Sequence, residues 1–551
     1  MTVTTRRRFL SAGLIGITAK AGRPVQGGFV HESHLRGHIL RDRRNLSSPK
    51  NIRRLPVVIV GGGIAGLSAG WRLHKQGFHD FTILEMEPEA GGNSRCGENE
   101  ITAYPWAAHY IPVPNKESVL VRELMEELGA LQDGEWRERY LCFSPQERLF
   151  LHGRWQETIK PAIAATASDR LQFRRFSDAM RELRATGQFT VPMDHMDHPA
   201  KPSPLDQISM KDWLSQHGFD SGYLHWYVNY ACRDDYGALA RDTSAWAGIH
   251  YYASRENDEL GPLTWPEGNG WIVRKLLAKL HPYVRTGAIV HAILGQGRKQ
   301  LVCSGEDGWL ADQVIFAAPT FTALYVLEDP PQVDIEYSPW LTANLTLDRL
   351  PEEKGIEPAW DNVIYDSPSL GYVIATHMGL QSRTTRSVWT YYWALAGADP
   401  AKDRRLLLAK DWNYWKEAIL NDLSRAHPDI RSCVARVDIF RIGHAMARPT
   451  VGSIFSESRQ RLASASGPIL FANSDISGLS TFEEAQYRGV QAADRAISVQ
   501  AARGGIKGKK SSADLAAPRE SVVRELINGE SSVTVRDQEG LRKELVTDLQ
   551  N

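Results

Sequence analysis

Cysteine is scarce in this chain. Five occur in 551 residues, at Cys96, Cys142, Cys232, Cys303 and Cys433, and none forms a C-x-x-C pair. That excludes a disulfide scaffold and speaks against a zinc centre built on paired thiolates. Apolar runs of about 18 residues are missing as well, so no integral membrane span is expected. Neither sign of charge dominates: 65 Lys and Arg offset 65 Asp and Glu. A balanced chain gives no reason to expect nucleic acid or an anionic membrane as partner. No metal is expected either. His195 and His198, with Asp194 and Asp197, lie in a proline-containing loop that lacks a regular frame for ligation.

What is present is ordinary globular composition, 42% hydrophobic and 24% charged. The length suggests about three or four domain-sized units. Sixteen tryptophans could line a large cavity. The most informative stretch runs from Val57 to Arg95. Val57–Val60 are four apolar residues, enough for a buried strand, and Gly61, Gly63 and Gly66 follow in G-x-G-x-x-G spacing. A helix is predicted from Ile64 to about Gln76, closed by Gly77. A second apolar run, Phe81–Leu84, ends at Glu85. This is a βαβ unit for a dinucleotide. Gly61 permits the tight turn, Gly63 lets backbone approach a pyrophosphate, and Gly66 lets helix and strand close up. Ile64 and Ala65 open the helix, whose N-terminal N–H groups attract phosphate. Glu85 can bind a ribose 2′-hydroxyl and would repel a 2′-phosphate.

The N-terminus, TRRRFLSAGLIGITAKAG, resembles a twin-arginine export signal. It has Arg6-Arg7, a mildly apolar segment and the small-x-small site Ala19-Lys20-Ala21. Residues 1–21 are therefore expected to act as a signal peptide directing a folded protein to the periplasm. Residues 22–53 read as a leader without core, and residues 503–551 as a flexible tail.

After Glu85 come Gly91-Gly92-Asn93-Ser94-Arg95, then Tyr104-Pro105-Trp106-Ala107-Ala108-His109-Tyr110. Near the other end, Gly467–Asp475 reads as a buried strand ending in an acid, followed by a turn and a helix from Phe482 to Gln500. With these motifs the chain resembles the FAD-dependent amine oxidase superfamily, which includes protoporphyrinogen oxidases and phytoene-type desaturases. The resemblance implies an α/β fold. A Rossmann-type FAD-binding domain is expected from the separated segments 54–100, 270–322 and 464–502, with an inserted α+β substrate domain from 101–269 and 323–463.

The resemblance also implies roles for residues. Gly91 and Gly92 match the family's GGR motif, Asn93 stands in its Arg place, and Arg95 is the substitute cation for the pyrophosphate. Ala107 and Ala108 would pass the flavin ring, and His109 would face the substrate. Val290 would lie on the adenine side. Asp475, Thr481 and Phe482 would complete the flavin end, with the helix N-terminus facing the N1–C2=O edge.

Two features depart from amine oxidases. The strand Leu341–Leu347 has no lysine, and Asn344 lies near its expected place. No cysteine near residue 385 could attach flavin, so FAD is expected to be non-covalent. Catalytic candidates are His109, as general base, and Asn344. Residues 115–260 are expected to be largely helical, and strands are expected at Ala288–Ile293, Gln300–Cys303, Gln313–Phe316 and Val388–Trp393. The aromatic cluster from Tyr223 to Tyr252 reads as core, or as the roof of a substrate cavity.

The expected function is hydride removal from a C–N or C–C bond of a small organic substrate, with dioxygen or a quinone as electron acceptor. Alternatives are a desaturase or isomerase acting on a polyene or tetrapyrrole-like substrate, and a flavin-binding protein without turnover.

Overall fold

The computed structural model describes residues 24–31, 33–42, 48–196, 203–255, 261–353, 355–379 and 384–502. The twin-arginine segment, the tail, Asp197 and His198 lie outside the described residues. Residues up to Ala496 form one compact unit; of the second unit, from Ile497 onward, the described residues are helical.

A seven-stranded sheet carries the glycine motif. Its central strand, Asn51–Val60, pairs in parallel with Phe81–Leu84 on one side and Asp307–Phe316 on the other. Val57, Val58 and Ile59 are fully buried. Parallel strands covered on both faces call for an unbroken apolar run, which explains VVIV. Asp307–Phe316 also pairs with Lys299–Ser304, and with Ile469–Phe471 from near the other end of the chain. Three separated segments thus build one sheet, as the sequence implied. The helix Ile64–Lys75 packs on it closely: a Cβ at Gly70 would lie 2.7 Å from Ile83 Cδ1. Arg72 on this helix donates to Asp494 at 2.7 Å, buried on both sides, and so fastens it to the helix Phe482–Ala502.

An eight-stranded sheet fills much of the rest. Its order is Gln26–Val30, Val434–Ala447, Tyr337–Leu347, Ser387–Ala394, Gly371–Ile374, Asp361–Ile364, Glu147–Leu151 and Arg154–Glu157. Helices run Val119–Leu128, Ala167–Arg184, Met210–Gln216, Gly222–Tyr236 and Ala245–Ala253.

The structure adds to or changes three sequence-based expectations. Residues 115–260, expected to be largely helical, also supply the hairpin Glu147–Leu151 and Arg154–Glu157 at the sheet's end. Its turn residues, His152 and Gly153, both have positive φ, which matches the right-handed strand twist. Strand structure expected at Ala288–Ile293 starts only at Ala292. The preceding residues run beside the acidic turn, with Gly287 N donating to Glu87 O and Ala288 N to Glu85 O, each at 2.8 Å. Finally, residues 22–53 do contribute core. Gln26–Val30 adds a parallel edge strand along Arg436–Phe440, Ser33–Asp42 is a helix, and Leu40 is buried in a cluster with Val60, Leu84 and Val290.

The edge strand depends on one glycine. Gly27 has φ of +130°, and a Cβ there would lie 1.9 Å from Val437 O. Gly27→Val should detach the strand and destabilise the protein by roughly 1–3 kcal/mol. Thermal melting checks this, and an unchanged midpoint would contradict the edge pairing.

Candidate functional site

The cleft begins where the first strand ends. Gly61 has φ of +106°, donates to Leu84 O at 2.8 Å, and could carry no Cβ, which would meet Ala318 N at 2.8 Å. Gly66 lies so close beneath that its Cβ would be 1.9 Å from Gly61 O. Gly63 differs. A Cβ there would meet only Gly92 Cα, at 4.0 Å, so this face is open. Gly91, at φ +128°, donates to Gly62 O at 2.8 Å and locks the two glycine turns face to face. No side chain caps the helix that starts at Ile64 and Ala65. Its first N–H groups have no intrahelical partner and attract negative charge.

Glu85 stands behind this turn, buried. It accepts from Gly62 N at 2.7 Å and from Glu87 N at 2.8 Å. Burial pushes its pKa up, while those two N–H groups pull it down. Arg95 donates through Nε to Gly92 O at 3.1 Å, beneath the second glycine turn. Its positive field acts on both Glu85 and Glu87. Asn93 does something else. Its side-chain Nδ2 donates to Ala445 O at 2.8 Å and its backbone carbonyl accepts from Ala108 N at 2.9 Å, so it fastens two loops together. Val290 is buried in the cluster with Leu40, so the helix Ser33–Asp42 packs into the same core. A cavity of about 460 Å³ lies there between Leu35, Arg36 and Ile39 of that helix and Glu87, Pro88 and Ile289.

At the other end, the segment Tyr104–Tyr110 is held from the second sheet. Thr342 Oγ1 donates to Trp106 O at 2.6 Å, and Asn344 Nδ2 to Pro105 O at 3.0 Å. Asn344 Oδ1 accepts from Thr390 at 2.7 Å. Asn344 is therefore a buried tie that positions the loop, which corrects its assignment as a catalytic candidate. Ala107 and Ala108 are partly accessible.

Asp475 is nearly buried and links distant segments: Oδ2 accepts from Thr320 N at 2.8 Å and from Tyr337 Oη at 2.6 Å. Thr481 and Phe482 open the last helix, whose first turn carries Glu483 and Glu484. Glu483 pairs with Arg255 at 2.6 Å. Glu484 accepts from Met193 N at 2.6 Å and from Ser477 at 2.5 Å, with its pKa pushed up to about 7 by burial. Among the described residues, no group of three or more His, Cys, Asp or Glu is placed to hold a metal, and Asp194 is engaged by Arg488.

His109 leads into an interior cavity. Its ring stacks on Tyr392 (centroids 4.4 Å apart) and lies 5.4 Å from Trp360 and 4.9 Å from Tyr110. Burial lowers its pKa to about 4, so it is neutral at physiological pH. Beyond these rings stand Asp234 and Asp235, on the helix Gly222–Tyr236, and Asp361, on the strand Asp361–Ile364. All three lie deep in the protein yet remain partly accessible, as do His109 and Tyr110. Accessible surface deep inside a protein is the wall of a cavity. Burial, then the charge of Asp235, push Asp234 up to about 7. Burial raises Asp235 to about 6, opposed by the charge of Arg255 and helped by that of Glu483, and Asp361 is raised by burial, then by Asp234. Sequence reasoning noticed the aromatic residues here and missed the acids. The adjacent pair Asp234-Asp235 inside an aromatic helix was the available signal.

The raised pKa of Asp234 has a consequence for stability. Between about pH 4 and 7 the folded state holds the proton more tightly than the unfolded state does, so stability falls as pH rises through that window. Asp234→Asn should therefore stabilise the protein at pH 8 by on the order of 1–2 kcal/mol, and not at pH 4. Denaturant unfolding at the two pH values checks this; equal effects would refute it.

The family model for an NAD(P)-binding Rossmann-like domain matches residues 59–128. An L-amino-acid oxidase of Bothrops pauloensis is 30% identical over 248 residues, 41% of this chain and 46% of its own length. The chain spans less than half the length of the first curated relatives it matches. Among solved structures, a putrescine oxidase bound to putrescine superimposes with a TM-score of 0.62 at 17% identity, covering 81% of this chain and all of that one. A cyclohexylamine oxidase from Brevibacterium oxydans gives 0.61 at 14% identity, covering 81% and 99%. These likenesses establish the fold. The fold is the one these amine oxidases share, with a Rossmann-like segment at residues 59–128.

Proposed function

We propose that this protein is an oxidoreductase of the flavin amine oxidase type, which holds FAD non-covalently and takes a hydride from a carbon–nitrogen bond of a small organic substrate. The carrying observation is the pair of glycine turns. They face one another at Gly63 and Gly92, with an uncapped helix terminus on one side and Glu85 behind. That cradle suits a pyrophosphate with a ribose beyond it. When bound, FAD supplies the two-electron acceptor that the side chains lack.

The residues of the chain supply position and environment. Backbone amides at the start of the helix and the Arg95 guanidinium hold phosphate charge. Ala107 and Ala108, fixed through Asn93 and the strand Tyr337–Leu347, offer a slim backbone beside a flat ring. His109, neutral at physiological pH, adds no positive charge there and can accept a proton or a hydrogen bond. The interior cavity favours a polar substrate over an apolar polyene, because the polar groups of Asp234, Asp235 and Asp361 on its wall would find no hydrogen-bond partner in an apolar occupant. The proposed electron acceptor is dioxygen or a quinone. The proposed route to the periplasm is export in folded form through the Arg6-Arg7 signal.

Purified protein reconstituted with FAD should show a flavin band near about 450 nm that bleaches anaerobically with an amine. Gly66→Ala, which forces a Cβ against Gly61 O, should lower bound FAD at least about tenfold. Absence of the band in the wild-type protein would overturn the proposal. Oxygen uptake during turnover separates dioxygen from a quinone.

A further inference from the structure

We propose that the N-terminal elements Gln26–Val30 and Ser33–Asp42 form a clasp that closes the nucleotide end of the cofactor cleft. The helix is the outer wall of an adenosine site, and Arg36 is the cation that balances the acids beside it. This clasp rests on the FAD-dependent function above and lies wholly outside the glycine motif.

Three observations carry the inference. The first is where the helix lies. Val60, Leu84 and Phe316 are the last residues of three neighbouring parallel strands. Leu40 is buried in one core cluster with all three. In an open α/β sheet, ligands bind in the crevice outside the carboxyl ends of the strands. The helix Ser33–Asp42 therefore covers that crevice.

The second is the room left beneath the helix. The cavity of about 460 Å³ between it and Glu87, Pro88 and Ile289 falls in the range of small-molecule pockets, about 300–1,000 Å³. Glu87 and Pro88 follow shortly after Glu85, and Ala288 N donates to Glu85 O at 2.8 Å. The cavity thus adjoins the acid suited to a ribose. Leu35 and Ile39, one helical turn apart, both line it and offer an apolar surface to a purine ring. Arg36 Nε lies 3.8 Å from Glu87, and its Nη1 donates to Met86 O at 3.5 Å. Carboxylates beside a diphosphate repel it, and the guanidinium offsets that repulsion.

The third is the anchorage. Gln26–Val30 pairs along Arg436–Phe440 of the eight-stranded sheet, and the Arg441 guanidinium lies 3.5 Å from the centre of the Phe29 ring. His31 packs edge-on against Trp106 and Phe440, with centroids 4.8 and 5.7 Å away. Trp106 belongs to the loop Tyr104–Tyr110. The other end of the clasp is Leu40, in the core of the seven-stranded sheet. A wall tied to both sheets cannot swing aside without losing one of its anchors, so it slows the escape of a bound dinucleotide.

The test uses full-length protein and two probes, FAD and adenosine diphosphate. Flavin fluorescence after dilution reads FAD release from loaded protein, and calorimetry reads binding of the diphosphate to flavin-free protein. Arg36→Ala should release FAD at least about fivefold faster and bind adenosine diphosphate at least about fivefold more weakly. Its melting midpoint without flavin should stay unchanged, because Arg36 is partly exposed. Leu40→Ala should also speed release; should it fail to fold, Arg36→Ala still decides. Release and affinity of Arg36→Ala within about twofold of wild type overturn the inference. Tighter binding by Arg36→Ala or Leu40→Ala also overturns it, because the helix would then occupy the adenosine site instead of walling it. If an amine bleaches the loaded protein while Arg36→Ala keeps FAD as wild type does, the function stands and the clasp falls. If the wild-type protein holds no FAD yet binds adenosine diphosphate, and Arg36→Ala weakens that binding, the oxidase function falls and the clasp stands. If neither probe binds the wild-type protein, both fall.

Discussion

Backbone lies on backbone at the start of this fold, and much else follows from that contact. Gly66 sits against the carbonyl of Gly61, and Gly61 against the amide of Ala318, at separations no side chain could share. The turn, the helix behind it and the strand end beside it are therefore set to a tight tolerance by absent atoms. A second contact of the same kind occurs further along, where a Cβ at Gly489 of the last helix would lie 2.2 Å from Ala65 O. The open face at Gly63 exists because everything around it is closed.

The second sheet serves the cleft from a distance. Its strand Tyr337–Leu347 uses two polar side chains, Thr342 and Asn344, to hold the carbonyls of Trp106 and Pro105. Its neighbour Ser387–Ala394 divides its aromatics between two faces. Trp389 and Tyr391 pack into one core cluster, while Tyr392 belongs to the cluster with Tyr230 and Trp360. A rigid pleated surface thus places the loop beside the cleft and the wall of the cavity together, with strand alternation sending each residue to its side.

The nucleotide end was legible because its signals are local. Glycine spacing, an apolar run and an acid at the right distance all fall within forty residues, and each has one physical purpose. The parts that were not legible depend on pairing across the chain. Gln26–Val30 is too polar and glycine-rich to announce a strand, and it becomes one because Arg436–Phe440 offers a free edge. The strand Glu147–Leu151 lies in a region dominated by helices and is fixed by Asp361–Ile364, far away in sequence. Asn344 stood where the family's lysine was expected, and only the folded chain shows both ends of its amide engaged. The acids were invisible as a group for the same reason. Asp234 and Asp361 are brought together by a helix and a strand that share no local pattern.

The ion pair between Arg72 and Asp494 spans 422 positions, and the strand Ile469–Phe471 is the last to join the glycine-bearing sheet. The first βαβ unit therefore emerges from the ribosome long before its supports exist. Until the final helix is synthesised, Arg72 has no buried partner, and one edge of the strand Asp307–Phe316 stays bare. Contacts this distant delay folding, because a long loop must close before they form. Synthesis of the helix Phe482–Ala502 is thus the event that licenses a finished nucleotide cleft, and a ribosome-bound fragment lacking that helix would have no finished place for the cofactor.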